Sequence, residues 1–214
     1  MKKKEKTMVL KKILLALGDD GLNFEIDNNV GDVAFVKPVG NCYRGICINA
    51  SQLIKEEFCL QVFFDPLYIP TECVYFNIGW RLLDKRNYDS WTSESAEEIA
   101  IYLKQDALSK LLCSYTDEQL LKTIKDMSFV REDMFSLEAK VILAARIGDF
   151  ETLQNEYKIL KQREQYFPPG LAYFASTDTM MQNYQNRDFI IDITDKWKNE
   201  SVQGLKLEKW VTQE

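Results

Sequence analysis

The stretch Glu138-Ala139-Lys140 carries the most specific hint of reaction chemistry in the chain. An acidic residue followed by E-x-K is a pattern with which metal-dependent nucleases hold Mg²⁺ and place a lysine near the attacked phosphate, and it needs no histidine. Asp126 or Asp133 could supply the earlier acid. The match spans three residues, sits in a stretch of helical period and has no strand before it. A solvated helix face therefore competes directly with a metal site. Paired acids such as Glu56-Glu57 and Glu97-Glu98 are neighbours in sequence, so their side chains diverge, and a glycosidase-like pair is not legible here.

The 214 residues include no histidine. Ser–His and Cys–His nucleophilic pairs, histidine acids and bases, and histidine metal ligands are therefore excluded. Carboxylate, lysine, tyrosine and cysteine chemistry remains. The five cysteines (Cys42, Cys47, Cys59, Cys73 and Cys113) are odd in number and form no CxxC pair, which fits neither a disulfide framework nor a zinc site. They read as reduced thiols, several of them in strand-like apolar runs. No phosphate-binding loop, GxSxG, HExxH or EF-hand pattern occurs. No cofactor and no resident metal are expected.

The 27 basic residues face 33 acidic ones, and the imbalance is uneven. Residues 1–12 hold six lysines and one glutamate, which leaves 21 basic against 32 acidic residues over 13–214. A body this acidic repels phosphates and attracts a basic surface, so a protein partner with a basic face is expected and a nucleic acid is not. The apolar run after Lys12 is five residues long and ends at Asp19-Asp20, too short for a secretory signal. No membrane partner is expected, and the cytoplasm is the expected compartment.

The elements follow from periodicity. Leu10, Ile13, Leu14 and Leu17 predict an amphipathic helix over 4–18. Period-two alternation then predicts four strands, at Asp32–Lys37, Tyr43–Ala50, Phe58–Phe64 and Cys73–Leu83, joined by links short enough for an antiparallel meander. Strand three sets Phe58, Leu60, Val62 and Phe64 on one face. Ser95-Ala96-Glu97-Glu98 and Thr116-Asp117-Glu118-Gln119 read as capping boxes, and Asp149 caps a helix after one over 134–147. Phe189–Thr194 fits a helix or a strand, and Leu205–Val211 a short strand or docked tail. The expected fold is α+β: an N-terminal helix, a four-stranded mainly antiparallel sheet, and a helical C-terminal half packed on it. Residues 1–92 and 93–214 form its two parts, packed as one domain.

The link after the third strand is unusually apolar. Phe63, Leu67, Tyr68, Ile69 and Tyr75 gather around Asp65-Pro66 and Ile69-Pro70, with Trp91 further on. Either this loop folds back over the sheet edge or under a helix, or it presents a preorganised aromatic surface to a partner. The order of short helix, strand meander, Asp-Pro-Leu-Tyr-Ile-Pro loop, Val-Tyr-Phe-Asn-Ile-Gly-Trp-Arg-Leu and capped helix resembles a widespread uncharacterised bacterial domain family, some members of which lie near polymorphic-toxin loci. The resemblance covers roughly residues 8–125 and the helical hairpin near 148–160, and implies an intracellular bacterial protein, an immunity-type toxin binder among the possibilities. The leading expectation is non-enzymatic protein binding. The competing expectations are a metal-dependent hydrolase or nuclease using Glu138 and Lys140, and a small-ligand-binding protein with its pocket between sheet and helices.

Overall fold

The computed structural model describes residues 2–27, 32–50, 58–69, 74, 76–82, 93–127, 134–167 and 172–211. The chain is α+β, and its residues group into two compact units, Met1–Phe64 with Gly79–Ser114 and Thr212–Glu214, and Asp65–Ile78 with Tyr115–Val211.

The first unit holds α1 (Lys3–Leu17), which buries Val9, Leu10, Ile13 and Leu17, the stripe set by its helical period. Gly18, at a φ of 68°, ends the helix, and a 3₁₀ turn over Gly18–Asn23 follows. Five strands then lie in sequence order: β1 (Phe24–Ile26), β2 (Val33–Val36), β3 (Cys42–Ala50), β4 (Phe58–Pro66) and β5 (Gly79–Arg81). The pairs β1–β2, β2–β3 and β4–β5 are antiparallel, with Glu25 opposite Phe35, Ala34 opposite Ile46 and Val62 opposite Trp80. The meander is as expected, but it has five strands rather than four. The additional strand, β1, is three residues long, below the length at which alternation is legible.

The fourth predicted strand is much shorter than Cys73–Leu83: within it only Gly79–Arg81 pairs, Val74, Phe76 and Asn77 have no regular structure, and Cys73, Tyr75 and Leu83 lie outside the described residues. Gly79 sets one end of that pairing. Its φ is 150°, and a Cβ there would fall 1.9 Å from the Val62 carbonyl oxygen, so β4 and β5 approach more closely than any side chain permits. On β4, Phe58, Leu60, Val62 and Phe64 are buried as predicted, but so is Phe63, whose ring lies 5.4 Å from that of Tyr43.

The same unit contains α2 (Ser93–Tyr102), a π-helical turn over Leu103–Ala107, and α3 (Leu108–Leu112). These helices go with the sheet rather than with the C-terminal helices. Buried Arg44 on β3 donates Nε to the Leu111 carbonyl at 2.7 Å and Nη2 to the Cys113 carbonyl at 3.0 Å, which satisfies orphan carbonyls at the end of α3. Trp80 Nε1 donates to Asp106 at 2.6 Å.

The second unit is helical: α4 (Asp117–Asp126), α5 (Met134–Ile147), α6 (Phe150–Glu164), α7 (Ala172–Asn183) and α8 (Arg187–Gly204). α5 touches each of the other four, and every residue from Met134 to Arg146 is buried. Two of the three caps read from sequence are present; Ser95 instead lies inside α2, which begins at Ser93, and does not cap it. The Thr116 hydroxyl accepts from the Gln119 amide while the Gln119 side chain accepts from Thr116 N, and Asp149 accepts from the Thr152 amide at 3.1 Å. Phe189–Thr194 is helical, and Leu205–Val211 contains turns and no strand. Among the described residues no helix is long and apolar enough to cross a membrane.

Candidate functional site

A buried cation ties several segments of the second unit together. Arg146, in the last turn of α5, has its side chain almost wholly inside the unit. Its Nε lies 2.9 Å from Asp117 Oδ2, and Nη1 meets the Thr194 hydroxyl and, at 2.9 Å, Asp195 Oδ1. The guanidinium carbon sits 3.7 Å from the centroid of the Tyr68 ring, and the Tyr68 hydroxyl donates to Asp117 Oδ1 at 2.9 Å. Burial works against the guanidinium charge, but Tyr68, Asp117 and Asp195 outweigh it and its pKa is raised. The Tyr68 phenol is pushed far above its ordinary range by burial and then by Asp117, so it remains a neutral donor. This closed network binds the turn after β4 to α4, α5 and α8. A second tie comes from Ser201 on α8, whose hydroxyl donates to the Ile69 carbonyl at 2.6 Å.

The residues expected to form an aromatic binding surface are thus placed inside. Phe63, Leu67, Tyr68 and Ile69 are all buried, whereas Tyr75 and Trp91 lie outside the described residues. The apolar excess of the loop goes into the protein's interior, because Tyr68 finds a stacked cation and a carboxylate there and Leu67 and Ile69 leave water.

Glu138 and Lys140 are on no solvated face. Glu138 is 2% exposed and accepts a hydrogen bond from the Ser176 hydroxyl of α7. Lys140, also buried, lies 3.7 Å from Glu156 of α6. Positions two apart on a helix point about 200° from each other, so the two side chains serve opposite neighbours and do not converge. Burial raises the Glu138 carboxyl to about 7, against the Ser176 hydrogen bond, which lowers it. Among the described residues no three His, Cys, Asp or Glu side chains converge to hold a metal ion. The buried Cys47 thiol is pushed well above its ordinary range, first by burial and then by Asp32, and is not poised as a thiolate nucleophile.

The second unit presents Tyr166 and Phe167, 77% and 40% exposed, and a stacked aromatic pair at one end of its helices. Phe150 opens α6 and Tyr184 follows α7; their rings stack with centroids 4.2 Å apart at 23°, and each remains 36% exposed. Phe189, in the first turn of α8, is equally exposed. Arg187 reaches the same end, its Nη1 lying 3.9 Å from where a Cβ on Gly148 would stand. Glu118 at the start of α4 is held below the ordinary carboxylate range by its own backbone amide and the Thr116 hydroxyl, with Arg187 adding.

No protein-family model, curated protein or solved structure matches the chain. The aromatic pair itself escaped the sequence because Phe150 and Tyr184 are far apart along the chain and both fit helix-forming stretches. The available signal was Phe150's position directly after a capping Asp149, where a helix's first residue has no preceding turn to cover it.

Proposed function

We propose that the protein is a non-enzymatic binding module for another protein, with the stacked Phe150–Tyr184 pair at the centre of its contact surface. The exposed pair carries this reading. Ordered aromatic side chains held partly in water supply large apolar area at low entropic cost, and residues of this type dominate the energy of protein interfaces. The side chains best suited to catalysis, by contrast, are engaged one by one: Glu138 with Ser176, Lys140 with Glu156, Arg146 with Asp117 and Asp195.

The second unit has 18 acidic residues against 13 basic ones, whereas the first has 15 against 14. A partner with a basic face suits the acidic unit. The narrower form of the reading is an immunity-type protein that blocks the basic cleft of a toxin in the cytoplasm. It rests on the charge balance and on the family resemblance, which is analogy.

The test is capture of the neighbouring gene's product by the immobilised full chain, compared with a Phe150→Ser/Tyr184→Ser variant whose circular dichroism matches the parent. Binding that drops at least tenfold in the variant supports the proposal. Binding indifferent to the pair, or Mg²⁺-dependent hydrolysis of nucleic acid that Lys140→Ala abolishes, overturns it.

A further inference from the structure

The largest apolar exposures in the described chain do not lie at that aromatic pair. Besides Tyr166 at 77% and Ile101 at 55%, three of them lie on and beside the lysine-rich α1. Leu15 is 81% exposed, Leu22 74% and Met8 49%. Lys4, Met8, Lys11 and Leu15 recur at i, i+4, i+7 and i+11, which aligns them along one stripe of the helix, and all four are exposed. The opposite face, Val9, Leu10, Ile13 and Leu17, is buried, so α1 is fixed in its unit with this stripe turned outward. At its end the 3₁₀ turn folds back: a Cβ on Gly21 would fall 2.0 Å from the Leu14 carbonyl oxygen. Leu22 and Leu15 are each one residue from that contact, so both leucines belong to the same end of the helix. Lys6 pairs with Asp32 at 2.9 Å, and Lys2, Lys3, Lys4 and Lys11 are all exposed.

We infer that this ridge is an interfacial contact for an anionic lipid surface, on which the lysines meet headgroups while Met8, Leu15 and Leu22 enter the acyl boundary. Its composition separates this occupant from others. Protein interfaces are depleted in lysine and enriched in aromatic residues and arginine, and the ridge has the reverse balance. A nucleic acid would use the lysines but give two exposed leucines nothing to bury against. Lysine flanking exposed leucine is the composition of helices that lie in a bilayer interface. Charge also fixes the orientation. Residues 13–214 carry 32 acidic against 21 basic residues, so an anionic bilayer repels the rest of the chain and attracts its lysine-rich end. This departs from the expectation that there is no membrane partner. The structure adds exposed Met8 between Lys4 and Lys11, with exposed Leu15 and Leu22 beyond them.

The full chain is to be sedimented with phosphatidylcholine vesicles and with vesicles containing 30% phosphatidylglycerol, at about 20 mM and 500 mM salt. Binding is expected to the anionic vesicles only and to weaken at high salt. Lys4→Gln/Lys11→Gln should lower the partition coefficient about 30-fold at low salt, each lysine near an anionic surface being worth about 1 kcal/mol. Leu15→Ser/Leu22→Ser should lower it at least tenfold. All four positions are exposed, so circular dichroism of both variants should match the parent. No binding to anionic vesicles at low salt overturns the inference. So does binding that survives loss of the leucines, or lysine-dependent and leucine-independent binding to an oligonucleotide or polyglutamate instead.

Discussion

Replacing Glu138 by glutamine tests directly whether α5 is buried on every side. The carboxyl is held at about 7 against an ordinary value of 4.5, because burial disfavours the charged form more than the Ser176 hydroxyl favours it. Below pH 4.5 the group is protonated in both folded and unfolded chains and costs nothing. Between 4.5 and about 7 the unfolded chain releases the proton while the folded protein keeps it, so stability falls as pH rises. At about 1.4 kcal/mol per pH unit the deficit reaches about 3 kcal/mol and stays there at higher pH. A glutamine side chain mimics the protonated acid in shape and does not titrate. Glu138→Gln should therefore match the parent below pH 4.5 and exceed it by about 3 kcal/mol at pH 8. Urea denaturation followed at 222 nm from pH 4 to 8.5, with amide exchange along α5, measures the difference. A stability gap between the two proteins that does not change with pH would refute the burial of this carboxyl.

Arg146→Ala should cost about 3–5 kcal/mol in chemical denaturation, because it strands Asp117 and the buried Tyr68 face without their cation. Tyr68→Phe removes one hydrogen bond and should cost about 1 kcal/mol, and the double variant should cost less than the sum because both act on Asp117. Asp149→Ala should destabilise α6 by about 1 kcal/mol at neutral pH. Thr152's hydrogen bonds hold the Asp149 carboxyl below its ordinary value of 3.8, so this difference should persist down through pH 4 and disappear as pH falls further. Gly79→Ala places a Cβ against the Val62 carbonyl at a φ of 150° and should cost about 2 kcal/mol, with loss of amide protection where β4 meets β5.

Much of the fold was written in local signals. The stripe of α1, the alternation of β2, β3 and β4, and the caps at Thr116 and Asp149 each involve residues a few positions apart, and each appears where the spacing puts it. Signals that need a longer window failed. β1 is too short to show a period and the predicted fourth strand pairs only over Gly79–Arg81, whereas the run Phe189–Thr194, open to helix or strand, is helical in α8, where Ile190 and Thr194 share the buried face.

The chemistry divides along the same line. The sequence alone excluded every mechanism that needs histidine and showed where the basic and acidic residues lie, since these follow from composition. It could not say that Glu138 and Lys140 leave water and part company, that Tyr68 turns inward onto Arg146, or that Leu15 and Leu22 stay out. Those outcomes depend on which helix packs against which. Residues 68, 117, 146, 194 and 195 meet around one guanidinium only after four separate segments have folded together. A buried side chain takes its ionisation, its partners and its accessibility from neighbours distant in sequence, and no spacing along the chain encodes them.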